Sequence, residues 1–223
     1  MEVLKISDCR TNSLDDAQIV RRILGGEKEL FEILLRRNNQ TLYRVIRGYL
    51  KDRDEVQDAM QNAYLKAFDK LFQFQGNSSF STWLIRIGIN EALLRLKDMK
   101  KGKTVNLNTF LSIKANLVNQ IPDKEMNPEK AIIRQEAKQL LEQAIDNLPE
   151  KYRLIYILKE IEGLDNVQIE ESLGLTESNV KVRLHRAKKL LKDSLYQLTY
   201  KGEVFEFGNA HCDAVVNFVM SRI

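Results

Sequence analysis

Apolar residues recur every three to four positions along most of this chain, a spacing typical of amphipathic α-helices. Together with the polar caps between the apolar runs, this spacing predicts four helices up to residue 99 and four more from residue 128. A Ser13–Asp16 capping box would start the first helix, and Asp52 or Asp54 the third. The predicted fold class is all-α, with two small helical domains, the second a helix-turn-helix.

Domain boundaries follow from the stretch between the two sets of helices. Residues 100–127 are weakly periodic, rich in Asn and Lys, and contain Gly102 and Pro122, which predicts a flexible linker. The predicted division is therefore a first domain at 13–99, a linker at 100–127, a second domain at 128–198 and a C-terminal extension at 199–223.

Composition narrows the class of protein without deciding its partner. The 223 residues are 43% hydrophobic and 30% charged, which indicates a soluble globular chain, and a net charge of +4 is too small to argue for a polyanionic partner. Cys9 and Cys212 offer no disulfide framework, and no basic leader or run of about 18 apolar residues is visible. We therefore expect a cytoplasmic protein without membrane insertion, metal or cofactor.

The stretch from Phe72 to Lys97 carries the first candidate chemistry. A polar loop at Gln75–Ser79 lies between aromatic residues and leads into a helix whose one face combines Trp83, Arg86 and Asn90. An aromatic ring, an amide and a cation can stack on an unpaired base, bind its edge and hold its phosphate. The alternative at this point is that the aromatics are ordinary core and the cations a solvated face.

Two further faces have unusual composition. On the third helix, Leu65 and Phe68 share a side with acids and amides, which fits either a protein-docking surface or packing beneath a neighbouring helix. On the last helix, cations cover the exposed face opposite a buried apolar stripe. A helix that binds in the DNA major groove requires such a face, although an ordinary lysine-rich surface helix has the same pattern. The exposed set on that helix is Lys181, Val182, His185, Arg186, Lys188 and Lys189.

Three ordered strings resemble segments of bacterial RNA polymerase sigma factors of the small, extracytoplasmic-function type. F-x-G-x-S-S-F-x-T-W-L-x-R-I-x-x-N, from Phe74 to Asn90, resembles their promoter-melting segment. D-A-x-Q-x-x-F/Y-L, from Asp58 to Leu65, resembles the segment that grips the polymerase clamp helices. The string that begins at Leu148-Pro149 and ends at Ala187 resembles the region that reads the minus-thirty-five element.

The resemblance implies a role for each of these segments. Core-polymerase docking would fall to Asp58, Gln61, Asn62 and Leu65. Minus-ten recognition would fall to Phe74, Gly76, Asn77, Ser78, Ser79, Trp83, Arg86 and Asn90. Minus-thirty-five recognition would fall to Lys181, Val182, Arg183, His185, Arg186 and Lys189.

The function that the resemblance implies is that of a promoter-specificity subunit. Its expected partners are core RNA polymerase, promoter DNA and an anti-sigma factor. The alternative function is a stand-alone helix-turn-helix regulator, which would bind duplex DNA tightly without polymerase. A nucleic-acid enzyme is disfavoured because the sequence shows no phosphate-binding GxxxxGK, no metal cluster and no nucleophile–base pair.

Overall fold

The computed structural model describes residues 14–102, 128–199 and Met220. Most residues in these ranges are α-helical. The helices are α1 Asp16–Leu24, α2 Phe31–Arg47, α3 Arg53–Asp69, α4 Phe80–Gly102, α5 Pro128–Asp146, α6 Glu150–Tyr156, α7 Asn166–Leu173 and α8 Glu177–Thr199. Short 3-10 turns at Lys28–Leu30 and Leu71–Gln73 precede α2 and follow α3. The all-α prediction is confirmed. Helix α4 continues to Gly102, while the rest of the predicted linker and most of the C-terminal extension lie outside the described residues.

Side-chain caps set where the helices begin. Asp52 accepts hydrogen bonds from the backbone N–H groups of Asp54 and Glu55 at 3.0 and 3.1 Å, so the predicted cap of α3 is confirmed. The predicted cap of α1 is wrong. Asp15 accepts from the Gln18 N–H at 2.6 Å while the Gln18 side chain accepts from the Asp15 N–H at 3.2 Å, which forms a capping box there.

The first domain is built on α2, α3 and α4, which pack against one another. Their buried stripes supply the core, and α4 contributes Leu84, Ile85, Ile89 and Ala92. Gly88 is required at the crossing with α2, because a Cβ there would lie 2.5 Å from Leu42 Cδ1. This close crossing fixes the side of α4 that faces outward.

The second domain contains the predicted helix-turn-helix. Asp165 caps α7 in a capping box with Gln168, and α7 ends at Gly174, whose φ of 63° lies in the left-handed region that glycine adopts freely. The Thr176 hydroxyl then accepts from the Asn179 N–H at 3.4 Å at the start of α8. One feature was not predicted: the end of α6 continues as a π-helical turn at Ile157–Ile161.

The two domains are packed together along a seam. The Arg153 guanidinium, on α6, donates to the Gly48 carbonyl oxygen of the first domain at 2.9 Å, and to the carbonyls of Asp146 and Leu148 at 2.8 Å each. Gly48 allows the close approach, since a Cβ there would lie 2.8 Å from Leu154 Cδ2. Leu154 and Ile155 of the second domain belong to the same buried cluster as the core of the first domain.

Ion pairs flank the seam. Glu162 accepts from the Thr41 hydroxyl at 2.6 Å and from the Arg44 guanidinium at 2.8 Å, and its side chain is only 6% exposed. Arg47 pairs with Asp146 at 2.7 Å. Helix α7 also lies against α4. The seam therefore combines apolar burial with charged hydrogen bonds that both domains supply.

Candidate nucleic-acid interface

The polar loop between Phe74 and α4 is fixed by hydrogen bonds at its C-terminal end. The Ser79 hydroxyl accepts from the Thr82 N–H at 3.1 Å and shares a 2.8 Å hydrogen bond with the buried Thr82 hydroxyl. Gly76 has a φ of 74°, which a side chain would strain. The Asn77 amide donates to Gln75 at 3.2 Å, and both of these residues are exposed. The loop thus presents polar groups from a fixed backbone.

Three aromatic rings lie beside the loop in one cluster. Ring centroids are 5.8 Å apart for Phe74 and Phe80, 5.5 Å for Phe74 and Trp83, and 5.7 Å for Phe80 and Trp83. Phe80 is buried, so its role is structural, whereas Phe74 and Trp83 are only half-buried. Phe80 is thus core, as the alternative interpretation had it, while Phe74 and Trp83 pack against the core and keep part of their ring surface exposed; base stacking on them stays a prediction.

The outer face of α4 continues from this cluster. Arg86 and Asn90 are exposed on the same face as Trp83. Asn90 lines a groove between the end of α3 and α4, together with Lys66, Lys70, Ile87, Glu91 and Leu94. The loop residues Gln75–Ser79 do not line that groove. Trp83, Arg86 and Asn90 thus lie on one face of α4. The side chains around Asn90, however, are those of the groove and not those of the Gln75–Ser79 loop.

Sequence reasoning missed the other side chains of this surface. Lys66 lies on α3 and Lys70 directly after it, where the sequence pattern indicated only packing and docking, and neither Ile87 nor Leu94 of α4 was predicted as a site residue. Phe72, next to the loop, is 69% exposed and was not among the predicted site residues. Only the run of aromatics around the loop could have signalled Phe72, whereas the groove depends on how two helices cross.

On α3 the predicted docking residues form an exposed surface. Leu65 is 65% exposed, and Gln61 and Asn62 are exposed beside it. Asp58 is exposed as well, but its carboxylate pairs with Arg95, which also pairs with Glu55 at 2.9 Å. Phe68 instead packs edge-on against Phe31 at 5.1 Å. Phe68 therefore packs beneath a neighbouring helix, whereas Leu65 is exposed and its role in docking stays a prediction.

Helix α8 presents the predicted basic face. Val182, His185, Arg186 and Lys189 are exposed, whereas Arg183 is partly buried. Lys181 pairs with Glu177 at 2.7 Å, and this hydrogen bond raises the pKa of Lys181. Arg186 is hydrogen-bonded to the Tyr152 hydroxyl, which lowers the pKa of Tyr152. Of the residues predicted for minus-thirty-five recognition, Lys181 is thus paired with an acid on its own helix, while His185 is exposed.

Other chemistry is not visible in the described parts of the chain. Within residues 14–102 and 128–199, no three His, Cys, Asp or Glu side chains come close enough together to hold a metal ion. None of the helices in these ranges has the length and apolarity needed to span a lipid bilayer.

Family models match two stretches of the chain that carry these faces. The model described as Sigma-70 region 2 matches residues 34–102, which include the docking face, the loop and the groove. The model described as Sigma-70, region 4 matches residues 138–191, which include the helix-turn-helix.

Relatives match along nearly their whole length. The RNA polymerase sigma-H factor of Pseudomonas aeruginosa is 31% identical over 186 residues, covering 82% of this chain and 95% of the relative. The ECF RNA polymerase sigma-E factor of Escherichia coli K12 is 29% identical over 190 residues, covering 84% and 98%. The ECF RNA polymerase sigma factor SigW of Bacillus subtilis is 27% identical over 179 residues, covering 80% and 96%.

Two solved structures share the fold. The sigma factor RpoE of Bartonella quintana, solved with the anti-sigma factor NepR, aligns with a TM-score of 0.57 at 20% identity, covering 76% of this chain and 98% of that one. CnrH, solved with the cytosolic domain of CnrY, aligns with a TM-score of 0.55 at 19% identity, covering 82% and 97%.

Proposed function

The chain belongs to the sigma-70 family of bacterial RNA polymerase sigma factors, in its extracytoplasmic-function group, and from that membership we propose how its surfaces divide the work of initiation. It is a promoter-specificity subunit: it binds core RNA polymerase, recognises the minus-thirty-five and minus-ten elements and promotes DNA melting. The observation that carries this function is the presence on one chain of both sigma regions, one with an aromatic loop and one with a helix-turn-helix.

Helix α8 reads the upstream element as duplex. His185 and Arg186 lie on its exposed face, which suits contact with base edges in the major groove. Lys181, in the N-terminal part of α8, also approaches base edges, with Val182 and Arg183 beside it. Lys189 lies farther toward the C-terminal end of that face, where cations meet phosphates. Binding there sets the position of the first domain along the DNA.

The first domain captures the opened minus-ten strand. Phe74 and Trp83 offer ring surface, the loop from Gly76 through Asn77, Ser78 and Ser79 offers polar groups, and Arg86 and Asn90 extend the face along α4. Opening a base step costs about 1–2 kcal/mol of stacking. Stacking an unpaired base on an aromatic side chain returns about 1–3 kcal/mol. Binding energy can therefore drive melting, and the chain needs no catalysis of its own.

Partner proteins contact other surfaces. The exposed part of α3 with Gln61, Asn62 and Leu65 serves as the docking face for core polymerase, and Asp58 contributes there if it exchanges Arg95 for a polymerase side chain. An anti-sigma factor is a further partner, since the Bartonella quintana sigma factor RpoE was solved in complex with one. The site of action is the cytoplasm. A stand-alone regulator would have no use for the region 2 surfaces.

The test combines the purified chain with core polymerase and a promoter library in which both elements are randomised. We expect transcripts that start downstream of a shared two-part motif, and weak DNA binding by the chain alone. A chain that failed to bind core polymerase yet bound one duplex motif tightly would overturn the proposal in favour of a stand-alone regulator.

A further inference from the structure

Helix α5 has an apolar stripe that is buried at one end and exposed at the other. This α5 stripe has helical spacing and consists of Ile133, Ala137, Leu140, Leu141 and Ala144. Ala144 is fully buried, whereas Leu141 is 38% and Ile133 59% exposed, with Ala137 exposed between them. Within the parts of the chain that the structure describes, nothing therefore covers the N-terminal part of the stripe.

The buried end of the α5 stripe is covered by the last turns of α8. Leu191, Leu195 and Leu198 of α8 pack in one cluster with Ala144 and Ile145 of α5. Leu198 lies one residue before the described part of α8 ends. The C-terminal extension therefore leaves α8 beside the cluster from which the uncovered part of the stripe begins.

The extension has an apolar stripe of its own. Apolar residues recur there at positions i, i+3, i+4 and i+8, which predicts an amphipathic helix that Asn209 is suited to cap. The members of this extension stripe are Val215, Phe218, Val219 and Ile223. Met220, which the structure describes, is helical, is 63% exposed and lies on the opposite side of the predicted helix. Residues 209–223 thus carry an apolar face that needs a partner.

The lengths of the two stripes and of the connection fit together. The eleven residues of helix from Ile133 to Ala144 span about 17 Å at 1.5 Å per residue. A helix over residues 209–223 would be about 22 Å long. Residues 200–208 can reach up to about 30 Å when extended. The extension can therefore reach the exposed part of α5 and cover all of it.

Both apolar faces lie largely outside the region that the family model matches. The match to Sigma-70, region 4 begins at residue 138 and ends at residue 191. Ile133 and Ala137 precede that match, and the extension follows it. Residues 103–127 also border α5, but their apolar residues are weakly periodic and form no continuous helical face. The extension is thus the segment of this chain whose pattern suits the uncovered face.

We propose that the C-terminal extension folds back on its own second domain and packs the extension stripe against the exposed part of the α5 stripe. Residues 200–208 form the connection. The basic face of α8 stays free, because its exposed residues His185 and Arg186 do not belong to the cluster around Leu191. The inference goes beyond the proposed function and does not depend on it, since the contact forms in the free chain.

Amide hydrogen exchange of the full-length chain, read by peptide mass spectrometry, tests this contact. Phe218→Asp places a charge in the extension stripe. It should speed the exchange of α5 amides 132–141 about 10- to 100-fold, the factor expected when one large apolar side chain loses its burial. Met220→Asp is the matched control on the opposite side of the predicted helix, and it should leave those amides unchanged. Equal α5 exchange in the two variants would overturn the proposal.

The reciprocal change is made on α5 and measured in the extension. Ile133→Asp should speed the exchange of amides 209–223, although the substitution lies far from them in sequence. Gln135→Asp is the control, since Gln135 is exposed on the side of α5 opposite the stripe. Circular dichroism should be the same for both variants, because each replaces an exposed side chain and leaves the buried cores intact.

Three results would assign the α5 face to another occupant and overturn the proposal. Faster exchange in residues 103–127 and not in 209–223 after Ile133→Asp would assign the face to the linker. Protection that rises with protein concentration, together with association in sedimentation, would assign it to a second copy. Fast exchange of α5 in the free wild-type chain that slows only with core polymerase would assign it to polymerase. Initiation from the selected promoter motif would still support the proposed function in each case.

Discussion

Individual cations on α8 differ in how firmly the fold holds them. Hydrogen bonding to the Arg186 guanidinium lowers the pKa of Tyr152, whereas the Lys188 ammonium pairs with the Glu160 carboxylate at 2.9 Å. A planar guanidinium is suited to bidentate contact with guanine, while an ammonium suits a phosphate. Arg186 is therefore the cation of the α8 face on which base reading is best tested.

Arg186→Ala should weaken binding to the preferred upstream element about 10- to 100-fold and relax the preference at one position. The measurement is holoenzyme binding to a set of single-base variants of the upstream element. Lys188→Ala is the control, because loss of a phosphate contact or of the Glu160 pair lowers affinity evenly for all sequences. An even loss with Arg186→Ala would mean that Arg186 contacts the backbone only.

At the scale of the helices, side-chain caps determine how the reading helix is presented. The Asp165–Gln168 capping box fixes the start of α7, and α7 packs against both α8 and α4. Loss of this cap should therefore affect upstream recognition through the position of α8, although Asp165 itself need not contact DNA.

Asp165→Ala should lower the free energy of unfolding by about 1 kcal/mol, because a backbone N–H at the start of α7 loses its acceptor. Urea unfolding followed by circular dichroism gives the value. Glu171→Ala, an exposed acid on the same helix, serves as the control and should change the free energy by less than about 0.5 kcal/mol. Equal losses in the two variants would show that the cap is not what stabilises α7.

How far the sequence could predict these elements depended on whether the signals were local. The bounds of α7, the turn at Gly174 and the Thr176 cap were predictable because each depends on neighbouring residues. The cap of α1 was mispredicted because Ser13–Asp16 and Asp15–Gln18 both have capping-box spacing, and Gln at the third position completes the box better than Asp. The π-helical turn after α6 has no such local signal, and the groove requires Lys66 to meet Glu91 across a helix crossing.

At the scale of the whole molecule, the seam holds the two regions against each other. The sequence predicted two domains and a linker, but the packing of α6 on the end of α2 depends on Gly48 and Arg153, which are far apart in sequence. Burial lowers the pKa of Arg153, with the Asp146 carboxylate opposing the shift, and the three carbonyl oxygens receive its hydrogen bonds.

Arg153→Met should lower the free energy of unfolding by about 1–3 kcal/mol, since buried carbonyls lose their donors. It should also enlarge the radius of gyration measured by small-angle X-ray scattering, because the Gly48 contact between the domains is lost. Lys138→Met on α5 replaces an exposed cation of the second domain and should change neither quantity. An unchanged radius with Arg153→Met would show that the apolar part of the seam holds the domains without it.

The buried cluster that Leu154 and Ile155 share with the first domain has a thermal consequence. Hydration of aliphatic carbon raises heat capacity, so the attraction between the two halves weakens in the cold, whereas ionic contacts such as Arg44–Glu162 follow a different temperature dependence. Chilling should therefore weaken the apolar part of the seam more than its ion pairs, so that in the cold the two domains are held together increasingly by the charged contacts.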